Sequence, residues 1–503
     1  MVLWRAADSS VHLVVPVLSS LASRRKPNHR SDGRRSIVAR LIDALTGQKA
    51  RFAGLVALLG IVCLTGGGSR SDIQSLVILR PVSILLFFFG LMFFQQQDFR
   101  KVRMPMIFII AFMLIAALQL VPLPYPIWSN LPGHSTIAEI DAMAGLGQIW
   151  RPLSLDPDRT WNTLFALFVP LAAITLVAIQ RGKYINWIIP ATIAIGLLSA
   201  IVGYLQAIGV GDLHFYAVTH IHHPVGLFAN KNHQSILLLW LLLSAAWYIT
   251  RIDPRSRSAN LHFMGWLALM FVLFPLLLLT GSRAGLLLSV PVFGVGGWML
   301  YRSRMVSGSI KRTGKNVRYA LYGIGGLLTI ALVAVFATLA FAGRQTALSR
   351  LFEADPAEEQ RWIYFPILID MARDFIFTGA GFGSFEKLFN QYEPGEVLST
   401  RYLNQAHLDP LQIVIEGGLP GLLLLVFGLS WMAVTLWKAW RSRDRAKNNA
   451  ALYFAGSFGL FMAASLVDYP LRTPMGATVF AILTAYLATL SVNSVPERDR
   501  MDK

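Results

Sequence analysis

Apolar residues in this chain fall in blocks of roughly 15 to 27, separated by short polar segments in which Lys and Arg recur. At about 1.5 Å rise per residue, a helix of ~18 residues covers the hydrocarbon core of a bilayer. The pattern predicts twelve such helices, near 52–66, 76–95, 104–121, 162–180, 186–207, 234–250, 262–280, 284–301, 319–341, 411–437, 452–468 and 473–492. Basic residues test the count, because inner loops of membrane proteins collect them. With the N-terminus inside, the seven inner segments hold 32 of the 45 Lys and Arg, and the six outer loops hold 12. An odd error in the count would scramble that alternation. The expected fold is therefore an all-α integral membrane protein of about 12 transmembrane helices, with one large outer loop between helices 9 and 10. The divisions are a basic cytoplasmic tail over 1–51, helices 1–9 over 52–341, the loop over 342–410 with short helices, helices 10–12 over 411–492, and a cytoplasmic tail over 493–503.

Composition narrows the class. Of the 503 residues 55% are apolar and only 14% charged, against about a quarter charged in soluble chains. That excludes a soluble enzyme. The net charge of +18 would suggest nucleic acid, but here it lies between membrane spans. No nucleic-acid partner is expected. A single cysteine, Cys63, lies in an apolar run and excludes a disulfide framework or a thiolate metal site. In the first 50 residues, Val11 to Leu21 is too short to span, and Arg24, Arg25 and Lys26 follow it. A signal peptide has its charges ahead of its apolar stretch, so this segment reads as a tail that can rest on anionic lipid. No repeat relates the two halves, which weakens an inverted-repeat transporter.

Three outer loops carry polar residues that lipid contact does not require. The first, 208–233, holds His214, His220, His222 and His223, then Gly226-Leu227-Phe228-Ala229-Asn230-Lys231-Asn232-His233. Zinc would want three or four ligands backed by carboxylates. Asp212 is the loop's only acid, so ordinary loop histidines are the simpler reading and no metal centre is expected. The second is the turn Thr280-Gly281-Ser282-Arg283. Arg283 there is either an interfacial cation reaching headgroups or an anion site. For the latter, a guanidinium fork grips phosphate while Ser282 and a helix N-terminus add donors. The third loop ends in Asn404-Gln405-Ala406-His407-Leu408-Asp409-Pro410. Asp409 and Pro410 look like the N-cap and first residue of span ten. His407 is either a wetted loop residue or, beside a carboxylate at the membrane surface, a general base. Glu416, two turns into that helix, needs a basic partner, for which Arg283 is one candidate. Gly379-Ala380-Gly381-Phe382-Gly383-Ser384 lacks the Lys of a phosphate-binding loop and reads as turn chemistry. Leu348 to Phe377 reads as one or two helices over the membrane face, broken near Pro366.

These stretches together resemble the O-antigen ligase and O-antigen polymerase superfamily of bacterial envelope glycosyltransferases, best from about 150 to 430. Ser154-Leu155-Asp156-Pro157 resembles its Ser-x-Asp-Pro stretch, and Gly226 to His233 its G-x-F-x-N-x-N-H motif. Thr280 to Arg283 matches its T-G-S-R turn, Gly379 to Phe385 resembles G-x-G-x-G-x-F, and Ala406 to Gly421 resembles A-H-N-D-x6-E-x-G-x-x-G. The chain departs from the pattern at His223, where members often have Arg, and at Leu408, where they have Asn. The resemblance implies transfer of glycan from an undecaprenyl-diphosphate carrier to an acceptor hydroxyl at the periplasmic face of the bacterial inner membrane, without metal, nucleotide sugar or other cofactor. The acceptor would be lipid A–core in a ligase and another carrier-linked repeat in a polymerase, the latter working beside a flippase and a chain-length regulator. His407, Asp409 and Glu416 are then the expected catalytic set. Arg283, Lys231, His223, Arg361, Asn230, Asn232 and Ser282 are expected at the diphosphate, with Lys231 standing in for the missing Arg. A transporter of an envelope lipid or polysaccharide precursor is the alternative. It would need ionisable residues near the bilayer midplane, and apart from Arg80 and Glu416 the spans are nearly free of them.

Overall fold

A computed structural model describes residues 47–70, 72–211, 213–253, 256, 259–305, 356–395 and 403–492. The expected ninth span at 319–341, the two tails, Asp212 and parts of the long loop lie outside the described residues. All described residues but Gly47 fall in one unit, Gln48–Lys503. Among the described residues its regular structure is helical apart from one two-residue pair of strands, Pro122–Leu123 with Arg151–Pro152.

In chain order the helices are α1 (Gln48–Thr65), α2 (Leu76–Leu91), α3 (Gln96–Leu118), α4 (Tyr125–Trp128), α5 (Ser135–Met143), α6 (Pro157–Ala166), α7 (Phe168–Ala178), α8 (Lys183–Ala207), α9 (Lys231–Thr250), α10 (Ala259–Leu279), α11 (Arg283–Met305), α12 (Pro356–Asp374), α13 (Phe385–Tyr392), α14 (Asp409–Trp440), α15 (Arg445–Ser465) and α16 (Pro474–Val492). A 3₁₀ turn, Pro470–Arg472, precedes α16. Among the described residues nine helical stretches are long and apolar enough to cross a membrane, α6 and α7 counting as one. The protein is a multi-pass membrane protein. Helix α9 is buried all round from His233 to Ser244, the signature of a central helix rather than an amphipathic one. Helices α8, α10, α11 and α15 pack around it.

Connections alternate between the two ends of the bundle. At one end the segments after α1, α8 and α15 bond to one another, and the connection from α3 to α6 closes on itself. Met475 N donates to Gly66 O at 2.9 Å, Ala229 N to Gly67 O at 3.2 Å and Ser154 N to Gln119 O at 2.9 Å. The other end is held by arginines. Arg51 lies over Phe93 at 4.7 Å, Arg181 pairs with Asp98, Arg251 bonds Asn186 and Tyr486, and Arg302 lies over Trp440 at 5.7 Å.

Part of the 342–410 segment has a core of its own. Tyr364, Leu368, Met371 and Ala372 form one stripe of α12 and, with Phe375 just beyond its end, pack with Phe385, Leu388 and Phe389 of α13, Ala406, and Ile415 of α14. This corrects the expected break near Pro366. The helix runs through it to Asp374, because the stripe continues in register on both sides and its burial outweighs one missing N–H bond. Gly418 (φ 58°, ψ −152°) breaks α14 after two turns, so Asp409 to Gly417 forms a short leading segment tied to the loop. Helix α15 stops at Ser465, three residues short of the expected end. That difference frees Asp468 from the membrane span.

Candidate active site

The first turn of α9 is organised by its own sequence. Asn230, the N-cap, accepts the Asn232 backbone N–H at 2.8 Å on Oδ1, the ordinary capping bond. Its Nδ2 donates to Asp468 Oδ2 at 3.2 Å, and Asn232 Nδ2 donates to the same oxygen at 2.7 Å. Ser282, fully buried, donates from Oγ to Asn232 Oδ1 at 2.8 Å and caps α11 by accepting Gly285 N at 2.9 Å. Ser235 of α9 and Thr280, in the turn before α11, join through their hydroxyls at 2.8 Å. The two motifs thus form one hydrogen-bonded corner. Lys231 and Arg283 are the first residues of α9 and α11 at that corner, both half-buried.

Asp468 is the hub. Besides the two amides, its Oδ1 lies 3.3 Å from His407 Nδ1 and 3.6 Å from His233 Nε2. Burial works against ionisation of this carboxyl, but the two imidazoles and their hydrogen bonds outweigh it and hold it well below the usual carboxylate range. The Tyr469 ring stands beside both imidazoles, with centroids 4.7 Å from His407 and 5.1 Å from His233. His407 has φ 52°, the only non-glycine at positive φ among the described residues. A side chain there is strained, and such strain gathers at functional sites.

Beside this hub sits a buried ion cluster. Arg472 donates from Nε to Asp409 Oδ1 at 2.7 Å and from Nη1 to Glu416 Oε2 at 3.0 Å. Gln412, one turn along, donates to Glu416 Oε1 at 3.1 Å and accepts Ala406 N at 2.8 Å. Phe385 N also points at Glu416 Oε1, at 3.4 Å. The glycine loop makes these approaches possible. Gly379 and Gly381 have φ of 70° and 100°. A Cβ at Gly379 would come within 2.4 Å of Glu416 O, and one at Gly381 within 2.2 Å of Ser154 Oγ, so only glycine fits. Ser154-Leu155-Asp156-Pro157 is a helix start docked to the same loop. Asp156 caps α6, and Lys387 and Arg159 tie α6 to α13 through Asp156 (3.0 Å) and Glu386 (3.3 Å).

The structure brings His407, Asp409, Glu416, Asn230, Asn232 and Ser282 into one connected network. Two expectations change. Asp409 is not the N-cap of α14 but its first residue, with Leu408 in the cap position, because its carboxylate turns to Arg472. Glu416 pairs with Arg472 rather than with Arg283. His223 lies in the 208–233 loop, half-buried, with its ring 6.2 Å from that of His220, which accepts the Lys231 backbone N–H at 3.4 Å on Nδ1. Arg361 lies in α12, its side chain outside the described residues. Asp468 and Arg472, both missed, sit in Asp468-Tyr469-Pro470-Leu471-Arg472, an acid and a base four apart in the short turn between the last two spans. That pairing was the available signal, hidden by counting Asp468 as the end of a span.

Residues 268–426 match the O-antigen ligase family. The match takes in the Arg283 turn, the glycine loop, His407, Asp409 and Glu416, so the resemblance to the ligase and polymerase superfamily holds over the segment that supplies half of this network. No curated protein matches the chain. A ligase- or polymerase-type membrane enzyme, acting on lipid-linked glycan and an acceptor, is the class these findings support.

Proposed function

We propose that the protein transfers glycan from an undecaprenyl-diphosphate carrier to an acceptor hydroxyl, with inversion, at the periplasmic face of the inner membrane. The observation that carries this is the Asp468–His407 pair at 3.3 Å, set beside the two cationic helix starts. A carboxylate on Nδ1 fixes the tautomer in which Nε2 can accept a proton. His407 Nε2 takes the acceptor's hydroxyl proton as that oxygen attacks the anomeric carbon. The bond from that carbon to the diphosphate oxygen breaks on the opposite face, and the electron pair leaves with the diphosphate. Arg283 and Lys231 face that growing charge, doing what donors aimed at a developing anion do elsewhere. Asn230, Asn232 and Ser282 hold Asp468 and the corner in place, with His223 and Arg361 as further cationic candidates for the carrier. Asp409 and Glu416 act through Arg472, fixing α14 and its preceding His407 against the last turn.

The direct test is transfer by purified protein from undecaprenyl-diphosphate-linked glycan to lipid A–core or to a second carrier-linked repeat. Activity with the first acceptor defines a ligase, with the second a polymerase; none with either ends the proposal. Transfer is expected to proceed without nucleotide and to survive EDTA. Collapse in chelator with recovery on adding a divalent ion would turn the 208–233 histidines into a metal site. At the diphosphate, Arg283→Lys should lose most activity despite keeping its charge, because a point charge cannot replace a fork. Lys231→Arg should be tolerated better than Lys231→Ala. Wild-type rates in an Arg283→Lys, Lys231→Ala double variant would put the diphosphate elsewhere. For orientation, reporters fused after Asn260, Ser309 and Asn449 should read cytoplasm and reporters within 342–410 periplasm. A cytoplasmic signal from the long loop would invert the assignment.

A further inference from the structure

Arg80 lies away from this network and in an unusual place. It is the fifth residue of α2 and the only charged residue of that helix. The helix starts at the site end, where Ser75 donates to Thr65 O at 2.8 Å. Four residues at ~1.5 Å put Arg80 about 6 Å in from that end, the depth of lipid headgroups rather than of open water. Its surroundings face outward: Val77, Ile78 and Leu85 of α2 and Trp161 and Phe165 of α6 are all exposed large apolar side chains. A cation inside such a surface is costly without a partner.

Among the described residues Arg80 has no partner of opposite charge. Arg80 Nη1 donates to Asn162 Oδ1 of α6 at 2.6 Å, and Arg80 Nε is buried with no hydrogen-bond partner among the described residues. The acids at the ends of these elements are taken or distant in role: Asp72 pairs with Arg70 and Asp156 with Lys387, and Asp158 is exposed at the start of α6. Because Asn162 uses its oxygen on Arg80, its Nδ2 is left to donate. The pair therefore presents only donors: the second guanidinium nitrogen of Arg80 and Nδ2 of Asn162. A donor-only fork facing lipid at headgroup depth matches one ligand chemistry, the phosphate of a lipid whose tails run along α2 and α6.

We propose that Arg80 and Asn162 form a binding site for a phosphate-bearing lipid in the outer half of the bilayer. The phosphate could belong to a bulk anionic phospholipid or to a polyprenyl carrier, and the site does not depend on the transferase reading. The test is native mass spectrometry of the full-length protein titrated with phosphatidylglycerol, with undecaprenyl phosphate, and with phosphatidylcholine as the zwitterionic control. The wild type should retain one more phosphatidylglycerol or undecaprenyl phosphate than Arg80→Gln, whose affinity for it should be weaker by about tenfold or more. Arg80→Lys should keep part of the binding and Asn162→Ala should lose several-fold. Weakening of both ligands marks a shared phosphate site, of undecaprenyl phosphate alone a carrier site, and of phosphatidylglycerol alone a structural lipid. Equal occupancy of both lipids in wild type and Arg80→Gln would overturn the site. If Arg80→Gln does not accumulate, unchanged binding in both Arg80→Lys and Asn162→Ala would do the same.

Discussion

His407→Ala should leave the protein in the membrane and lower transfer by about 10²–10⁴-fold, the range removed with a positioned general base. The substitution takes out an imidazole that lies in a loop and is partly exposed, so folding should change little; alanine keeps the same Cβ at φ 52° and so neither adds nor relieves backbone strain. Asp468→Asn separates the base from its orienting partner. An amide can still meet His407 Nδ1, but its NH₂ end favours the tautomer with the proton on the wrong nitrogen. A loss of the same order is expected, with substrate binding largely kept. The measurement is initial rate against acceptor concentration for both variants, alongside protein level in membranes. Full activity in His407→Ala would remove the base from the mechanism, and full activity in Asp468→Asn would remove its orientation.

The second large effect concerns stability. Arg472→Met should cost about 3–5 kcal/mol, the usual penalty for breaking a buried ion pair and leaving its partner charged. Here two partners remain: Glu416 is 1% exposed and Asp409 6%. Burial opposes the charge on Arg472, but Glu416 and Asp409 hold its proton more firmly than usual, so the cation is present wherever the enzyme works. The readout is thermal unfolding and membrane accumulation. Glu416→Gln in the Arg472→Met background should recover much of the loss, because it removes one stranded charge and keeps the bonds to Gln412 and Phe385. An Arg472→Met protein as stable as wild type would show that the cluster rearranges cheaply.

The membrane class and most helices were legible because a span must satisfy its backbone internally and keep an apolar surface, which leaves a long, coarse pattern. His407, Asp409, Glu416 and the Gly226–His233 and Thr280–Arg283 stretches were legible as motifs. Their partners were not. Asp468 and Arg472 meet residues 238 and 63 positions away in the chain, and no periodicity encodes such pairings. The same limit explains the misplaced Asp409 cap: local sequence offers a carboxylate a helix N–H, and only tertiary structure offers it an arginine. Pro366 shows the opposite error, a local breaker overridden by the packing of Tyr364, Leu368 and Met371 on both sides of it.

The turn between α15 and α16 has a consequence for how the protein is made. Asp468 and Arg472 are supplied by the hairpin of α15 and α16, while the groups they hold come from segments inserted earlier. Until that hairpin enters the bilayer, Asn230, Asn232 and His407 have no carboxylate to gather around, and Asp409 and Glu416 have no cation. A nascent or truncated chain can therefore occupy the membrane with every motif of the earlier spans present and still be inert toward lipid-linked substrate. The network closes only when α15 and α16 dock against the earlier helices.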